Sequence, residues 1–181
     1  TAGEGVTLPA GIWSIALYPR EIREGVCNLW MSGIEASGRQ TGFLMPVTNT
    51  TLTIPATADR IVSVGAYQAD TMAVAPFSGR GFTASGQVAP TLVAPGVDIL
   101  TAAPGGGYAR RTGTSIAAPF VTGAAALLME WGIVRGNDVE LYGEKGKAYL
   151  MRGAKPLPGI TDYPDVAAGY GRLCVEQSIP K

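Results

Sequence analysis

The sequence predicts an α/β fold in which strands buried on both faces pack against a central helix, preceded by a β-rich opening segment. Three stretches carry that expectation. Residues 61–67, Ile-Val-Ser-Val-Gly-Ala-Tyr, form a continuous apolar run of the kind found in strands covered on both sides. Residues 115–131 are apolar nearly all round, the pattern of a central buried helix and not of a surface helix. Between them and before them lie short β-branched and aromatic runs bounded by Gly, Pro and charge, the pattern of short strands and turns.

Taken in order, residues 11–18, 25–32 and 42–47 read as three strands. The charged spacer 20–24 separates the first two. Trp13 and Trp30 are expected to pack in a core, with a ligand groove as the lesser alternative. Three strands are few for a free-standing sandwich, so residues 1–50 are read as the end of a β-module whose other strands lie outside this chain. The character changes after Asn49, Thr50 and Thr51. Residues 51–181 then form the second unit. It contains the strand 61–67, a glycine-held loop at 75–81, a short strand at 90–96 and another at 97–102. A flexible Gly105-Gly106-Gly107 follows, and residues 108–112 run into the turn at 113–119. The helix is expected to begin at Ser115 and to stop at Gly132, with Pro119 near its first turn, where a missing N–H costs least. Asn137 or Asp138 is expected to cap a second helix ending near Arg152, and residues 169–175 to form a closing turn and strand.

Composition narrows the function classes. The 181 residues are 46% hydrophobic and only 15% charged, so much of the chain should be buried. The 25 Gly and 13 Pro make up about a fifth of the chain, above the usual ~12%, and they punctuate apolar segments instead of forming a disordered tract. Lys plus Arg equals Asp plus Glu, 14 each, which favours neither nucleic acid nor an anionic membrane as partner. No uninterrupted apolar run reaches the ~18 residues of a membrane span. Residues 1–5 are not a signal peptide and no initiator Met is present, so the sequence is read as a processed or excised piece. Cys27 and Cys174 are far apart, and there is no His, which leaves no zinc signature; two free thiols are expected, with a disulfide as the alternative. Asp98, Asp138, Asp162 and Asp165 are scattered, so no metal site is assigned.

Ser115 is the chemically loaded residue. A serine at the start of a helix lies in the positive field of the helix N-terminus, beside N–H groups without helical partners. Such groups can hold the oxyanion that develops when a serine attacks an acyl carbon. Gly113 and Thr114 shape the turn that presents it. A plain helix-starting Ser, with Thr114 as an N-cap, is the competing reading.

Gly113-Thr114-Ser115-Ile116-Ala117-Ala118-Pro119 resembles the nucleophile motif of the subtilisin-like serine proteases. Phe77-Ser78-Gly79-Arg80-Gly81 resembles that family's Phe-Ser-Ser-Arg-Gly loop. Residues 94–99, Ala-Pro-Gly-Val-Asp-Ile, resemble its Ala-Pro-Gly strand turn, and Gly169-Tyr170-Gly171 its closing Gly-x-Gly. Four motifs in the family's order span residues 52–175. The resemblance implies the C-terminal part of a three-layer domain with a central parallel sheet. It also implies Ser115 as nucleophile, protein or peptide substrates, and an Asp, a His and an oxyanion Asn supplied upstream. Asn49 reads as a turn residue and not as that Asn. Phe120 stands where the family usually has a non-catalytic His. Residues 1–50 resemble the end of the jelly-roll insertion of clostridial spore-germination members, which implies a secreted or spore-associated bacterial protein. The family admits structural calcium, though no acidic cluster here asks for it.

Without a His, this chain is expected to be inactive alone and to require the missing upstream part of the domain. Three readings follow: part of an active endopeptidase, a pseudoprotease that binds a regulatory partner, or a β-module that does the binding. The strand 61–67 is expected to expose one edge and the helix one face, so self-association or a complementary chain is expected.

Overall fold

The computed structural model describes residues 9–31, 38 and 40–180, and its contacts divide the chain into two units between Leu44 and Met45. That division falls slightly before the expected boundary at residue 50. In the first unit, the described residues form neither strand nor helix and their side chains are exposed. The three expected strands are therefore not formed there; Ser32, the end of the second, lies outside the described residues. The physical reason is pairing: a strand needs a neighbour for its N–H and C=O groups and a second layer for its apolar face. Trp13 and Trp30, expected in a core, are exposed, and Trp13 Nε1–H donates to Pro9 O at 3.1 Å.

The second unit is built on β1 (Val64–Gln68) and β3 (Leu92–Pro95), which pair in parallel with Val64 opposite Leu92 and Tyr67 opposite Pro95. β2 (Ala73–Val74) returns antiparallel onto the end of β1, giving the order β2-β1-β3. Alternation assigns the two faces. Ala66, Leu92 and Ala94 join one core cluster, with Ala117, Val121, Ala124 and Leu128. Tyr67 and Val93 point the other way, into a second cluster with Leu157 and Ala168. The sheet is thus buried on both sides, as the apolar run at 61–67 requires. Residues 170–173 lie along β3: Tyr170 N–H donates to Thr91 O at 2.9 Å and Leu173 N–H to Val93 O at 2.8 Å.

A second sheet is the hairpin of β4 (Ile99–Ala102) and β5 (Tyr108–Arg111), antiparallel with Ile99 opposite Arg111. Helix α1 (Thr114–Met129) follows and continues as a π-helical turn, Glu130–Val134. Gly132 does not stop the helix; it is buried inside that turn, and a methyl group there would lie 2.9 Å from Leu141 Cβ. Helix α2 is Gly143–Arg152, shorter than expected at its start, because Asp138 bonds Lys145 and Tyr149 instead of capping. Residues 175–178 form a short helix, α3 (Val175–Ser178), after the β-bridges of Arg172 to Val93 and Lys155.

Two expectations about exposure are corrected. α1 is not buried all round: Ala117, Val121, Ala124 and Leu128 face the sheet, while Phe120, Leu127 and Met129 are exposed. The expected open edge of β1 is partly closed, because Ala75 N–H donates to Ala66 O at 2.9 Å and Ala66 N–H to the buried Ser78 Oγ at 3.0 Å. Val64 has no ladder partner on that side among the described residues. The stretch Thr114–Val134 (21 residues, mean hydropathy 1.5) is long and apolar enough to cross a membrane, against the expectation from uninterrupted runs. Its inward stripe of Ala117, Val121, Ala124 and Leu128 packs in the core against β1 and β3, while the rest of its apolar surface stays exposed. Truncating Leu128 to Ala within that stripe costs about 2–5 kcal/mol.

Candidate active site

Ser115 is the second residue of α1 and is exposed. Gly113, not Thr114, occupies the cap position, and no side chain caps the helix. Gly113 has φ 154° and ψ 161°, a conformation open essentially only to glycine. Its carbonyl accepts from Ile116 N–H at 3.0 Å and Ala117 N–H at 3.3 Å. The N–H groups of Thr114 and Ser115 have no backbone acceptor among the described residues, and Ser115 Oγ has no hydrogen-bond partner there. Two free donors and a free hydroxyl therefore meet at the positive end of a sixteen-residue helix. Pro119 cannot donate to the Ser115 carbonyl four residues earlier, which loosens this first turn further.

The turn is held from the sheet side. Gly113 N–H donates to Gly96 O at 2.8 Å, and Gly96 N–H donates to Tyr67 O at 3.0 Å. Thr112 Oγ1 accepts from Asp98 N–H at 2.9 Å. Gly96 is tightly enclosed: a methyl group on it would lie 2.7 Å from Ala66 Cβ and 2.9 Å from Gly113 O. Ser115 is therefore presented just beyond the carboxyl ends of β1 and β3, where open α/β sheets place their ligands. Gly113, Thr114 and Ser115, the site residues expected from sequence, lie together in this turn; Gly96 as its anchor and the strand β5 are not among those expectations. The run 99–102, the three glycines and Tyr108 carried a hairpin signal that would have revealed β5.

The other residues singled out from sequence have their own surroundings. Asn49 is exposed in a bend. Cys27 and Cys174 are both free thiols, Cys27 exposed and Cys174 half-buried. Among the described residues no three metal-ligating side chains cluster, and the four aspartates weighed for a metal are engaged elsewhere. Asp98 pairs with Arg110 at 2.9 Å and Asp138 with Lys145 at 2.6 Å. Asp165 accepts from Ala167 and Ala168 N–H, and Asp162 from Thr161 Oγ1.

These features define a class: a parallel α/β domain that presents a helix-borne serine beyond the carboxyl ends of its strands. The chain belongs to the subtilase family, whose family model matches residues 34–171. The CspB protease of Clostridium perfringens superposes with a TM-score of 0.73 at 45% identity, over 76% of this chain and 30% of that one. The prenylagaramide maturation protease PagA superposes with a TM-score of 0.60 at 34% identity, over 73% of this chain and 46% of that one. Among curated relatives, the subtilisin-like serine protease Pen ch 13 of Penicillium rubens is 35% identical over 112 residues, 62% of this chain. The C5a peptidase of Streptococcus pyogenes is 44% identical over 54 residues, 30% of this chain. The chain spans 26% and 5% of those two proteins' lengths.

Proposed function

We propose that this chain carries the nucleophile-bearing, C-terminal part of a subtilisin-like serine endopeptidase. Ser115 Oγ attacks the peptide carbonyl, and its proton passes to a His supplied by upstream polypeptide and oriented by an upstream Asp. Ser115 N–H receives the oxyanion together with an upstream Asn. The observation that carries this reading is the pair of N–H groups at Thr114 and Ser115, unpartnered among the described residues, on a glycine turn anchored to the sheet. Family membership supports protein or peptide substrates.

With no His among its 181 residues, the chain alone lacks a general base. Loss of triad members leaves a residual of about 10³–10⁴ over water even where the oxyanion hole is complete, so the isolated chain is inactive on this reading. The C-terminal peptidase part is residues 51–181, and residues 1–50 end an inserted jelly-roll-like module. The likeness to the Clostridium perfringens CspB protease supports a bacterial source, and a secreted or spore-associated setting is part of the same proposal.

The test compares hydrolysis of a fluorogenic peptide pool by the longer polypeptide and by residues 1–181. Hydrolysis by the longer form that disappears in Ser115→Ala, with none by the short form, is expected. A longer form that binds peptide without cleaving it supports a pseudoprotease instead. Ser115-dependent cleavage by residues 1–181 alone contradicts the division of the triad.

A further inference from the structure

Arg172 lies between two backbone neighbours beside β3: a parallel bridge joins it to Val93 and an antiparallel bridge joins it to Lys155. With Lys155 it exchanges both backbone bonds, Lys155 N–H to Arg172 O at 2.9 Å and Arg172 N–H to Lys155 O at 2.8 Å. Residues paired directly across a ladder project to the same face. Val93 belongs to the cluster with Tyr67, Leu157 and Ala168, so Lys155 and Arg172 rise side by side on that face. Gly171 permits the close approach: its φ is 116°, and a methyl group on it would lie 2.5 Å from Lys155 O.

Both side chains are cationic and half-buried. Like charges directly opposite each other in a ladder repel. No carboxylate lies within 4 Å of either among the described residues. The two aspartates on the segment between them are engaged, Asp162 with Thr161 Oγ1 and Asp165 with the N–H groups of Ala167 and Ala168. Arg172 Nε is buried and has no hydrogen-bond partner among the described residues. A buried donor on a charged group is among the costliest to leave unpaired. One acceptor of negative charge removes both the repulsion and the orphaned donor.

We infer that Lys155 and Arg172 together bind one oxyanion, a carboxylate or a sulfate-like group. The guanidinium offers Nε–H and an Nη–H in a planar two-point fit to adjacent oxygens, and the ammonium adds charge from across the ladder. The paired backbone fixes both stems, so only the side-chain ends are ordered on binding. The site does not depend on Ser115 being a nucleophile. A free anion and a carboxylate carried by polypeptide outside residues 1–181 present the same oxygens, and the experiment separates them.

The test is thermal unfolding of residues 1–181 in sodium sulfate and in sodium chloride at equal ionic strength, with sulfate as the probe. A fivefold shift of the folding equilibrium at about 20 mM sulfate, read as a Tm higher by about 2–4 °C, is expected. The response disappears in Arg172→Gln and in Lys155→Gln. Lys155→Glu places a carboxylate opposite Arg172, so that variant should melt above wild type in chloride and ignore sulfate. In the longer polypeptide, a sulfate response that persists assigns the site to a free anion. A response lost there, with a Tm lowered by Arg172→Gln, assigns it to a carboxylate of the remaining chain. Equal melting of residues 1–181 in the two salts, or a sulfate response that survives in both Gln variants, overturns the site.

Discussion

Gly96→Ala probes the contact that positions the nucleophile turn. The added methyl group lies 2.7 Å from Ala66 Cβ on β1, 2.9 Å from Gly113 O in the turn and 3.2 Å from Ala117 Cβ on α1. Ordinary carbon contacts sit at about 3.5–4.0 Å, so relief requires a shift on the order of 1 Å. None of the three neighbours is the end of a flexible side chain, so the backbone must move. Overpacking of this kind costs about 1–3 kcal/mol. Strain on the Gly113 N–H to Gly96 O bond adds about 0.5–1.5 kcal/mol, since both atoms must separate. Together these give about 1.5–4.5 kcal/mol, or a fall in Tm of about 3–18 °C for a chain of this length. Gly123→Ala is the control: its methyl group meets nothing within 4 Å, and it lies inside α1. That change should raise stability by about 0.5–1 kcal/mol through helix propensity. The assay is thermal unfolding of residues 1–181 followed by far-ultraviolet circular dichroism. A Gly96→Ala protein that melts within about 1 °C of wild type, or a Gly123→Ala protein that loses as much, would refute the argument.

Two further outcomes follow from the same structure. The Asp138 carboxyl is held below its ordinary value of 3.8, chiefly by the hydrogen bond from Lys145, and Lys145 is held above 10.5 by the same bond. A depressed carboxyl adds stability above its unfolded pKa that is lost as pH falls through the folded one. A raised Lys adds stability below its unfolded pKa that is lost as pH rises through the folded one. The urea midpoint of wild type should therefore exceed that of Asp138→Asn by a constant amount between about pH 5 and 9, with the gap closing in stronger acid; a gap independent of pH down to about 2 contradicts this. The exposed Phe120, Leu127 and Met129 on α1 and the unpaired β1 edge at Val64 should make residues 1–181 self-associate at high concentration, seen by light scattering and reduced in Phe120→Lys/Leu127→Lys. A strictly monomeric wild-type chain removes that expectation.

The sheet and the glycine turn before α1 are legible because their residues obey local rules. The run 61–67 is apolar on both alternations, and Gly113 sits where only glycine fits, directly before the helix. The runs 11–18, 25–31 and 42–47 carry strand propensity without forming strands, because a strand also needs partners that propensity does not supply. The helix interior was misread for a related reason: Phe120 and Leu127 are as apolar as Val121 and Leu128, and only the position of the sheet distinguishes buried from exposed. Gly132 looked like a stop signal but is needed for the close approach of Leu141. The anchor at Gly96 depends on three segments meeting in space, which no single stretch of sequence reveals.

The central claim is that Ser115 is a nucleophile whose general base comes from elsewhere in the polypeptide. A fluorophosphonate probe reacts with a serine only when that serine is activated, and mass spectrometry of the digested protein locates the adduct. An adduct is expected on Ser115 in the longer polypeptide and none in residues 1–181 alone. An adduct on another residue, or on Ser115 in the short chain without any His, would contradict it.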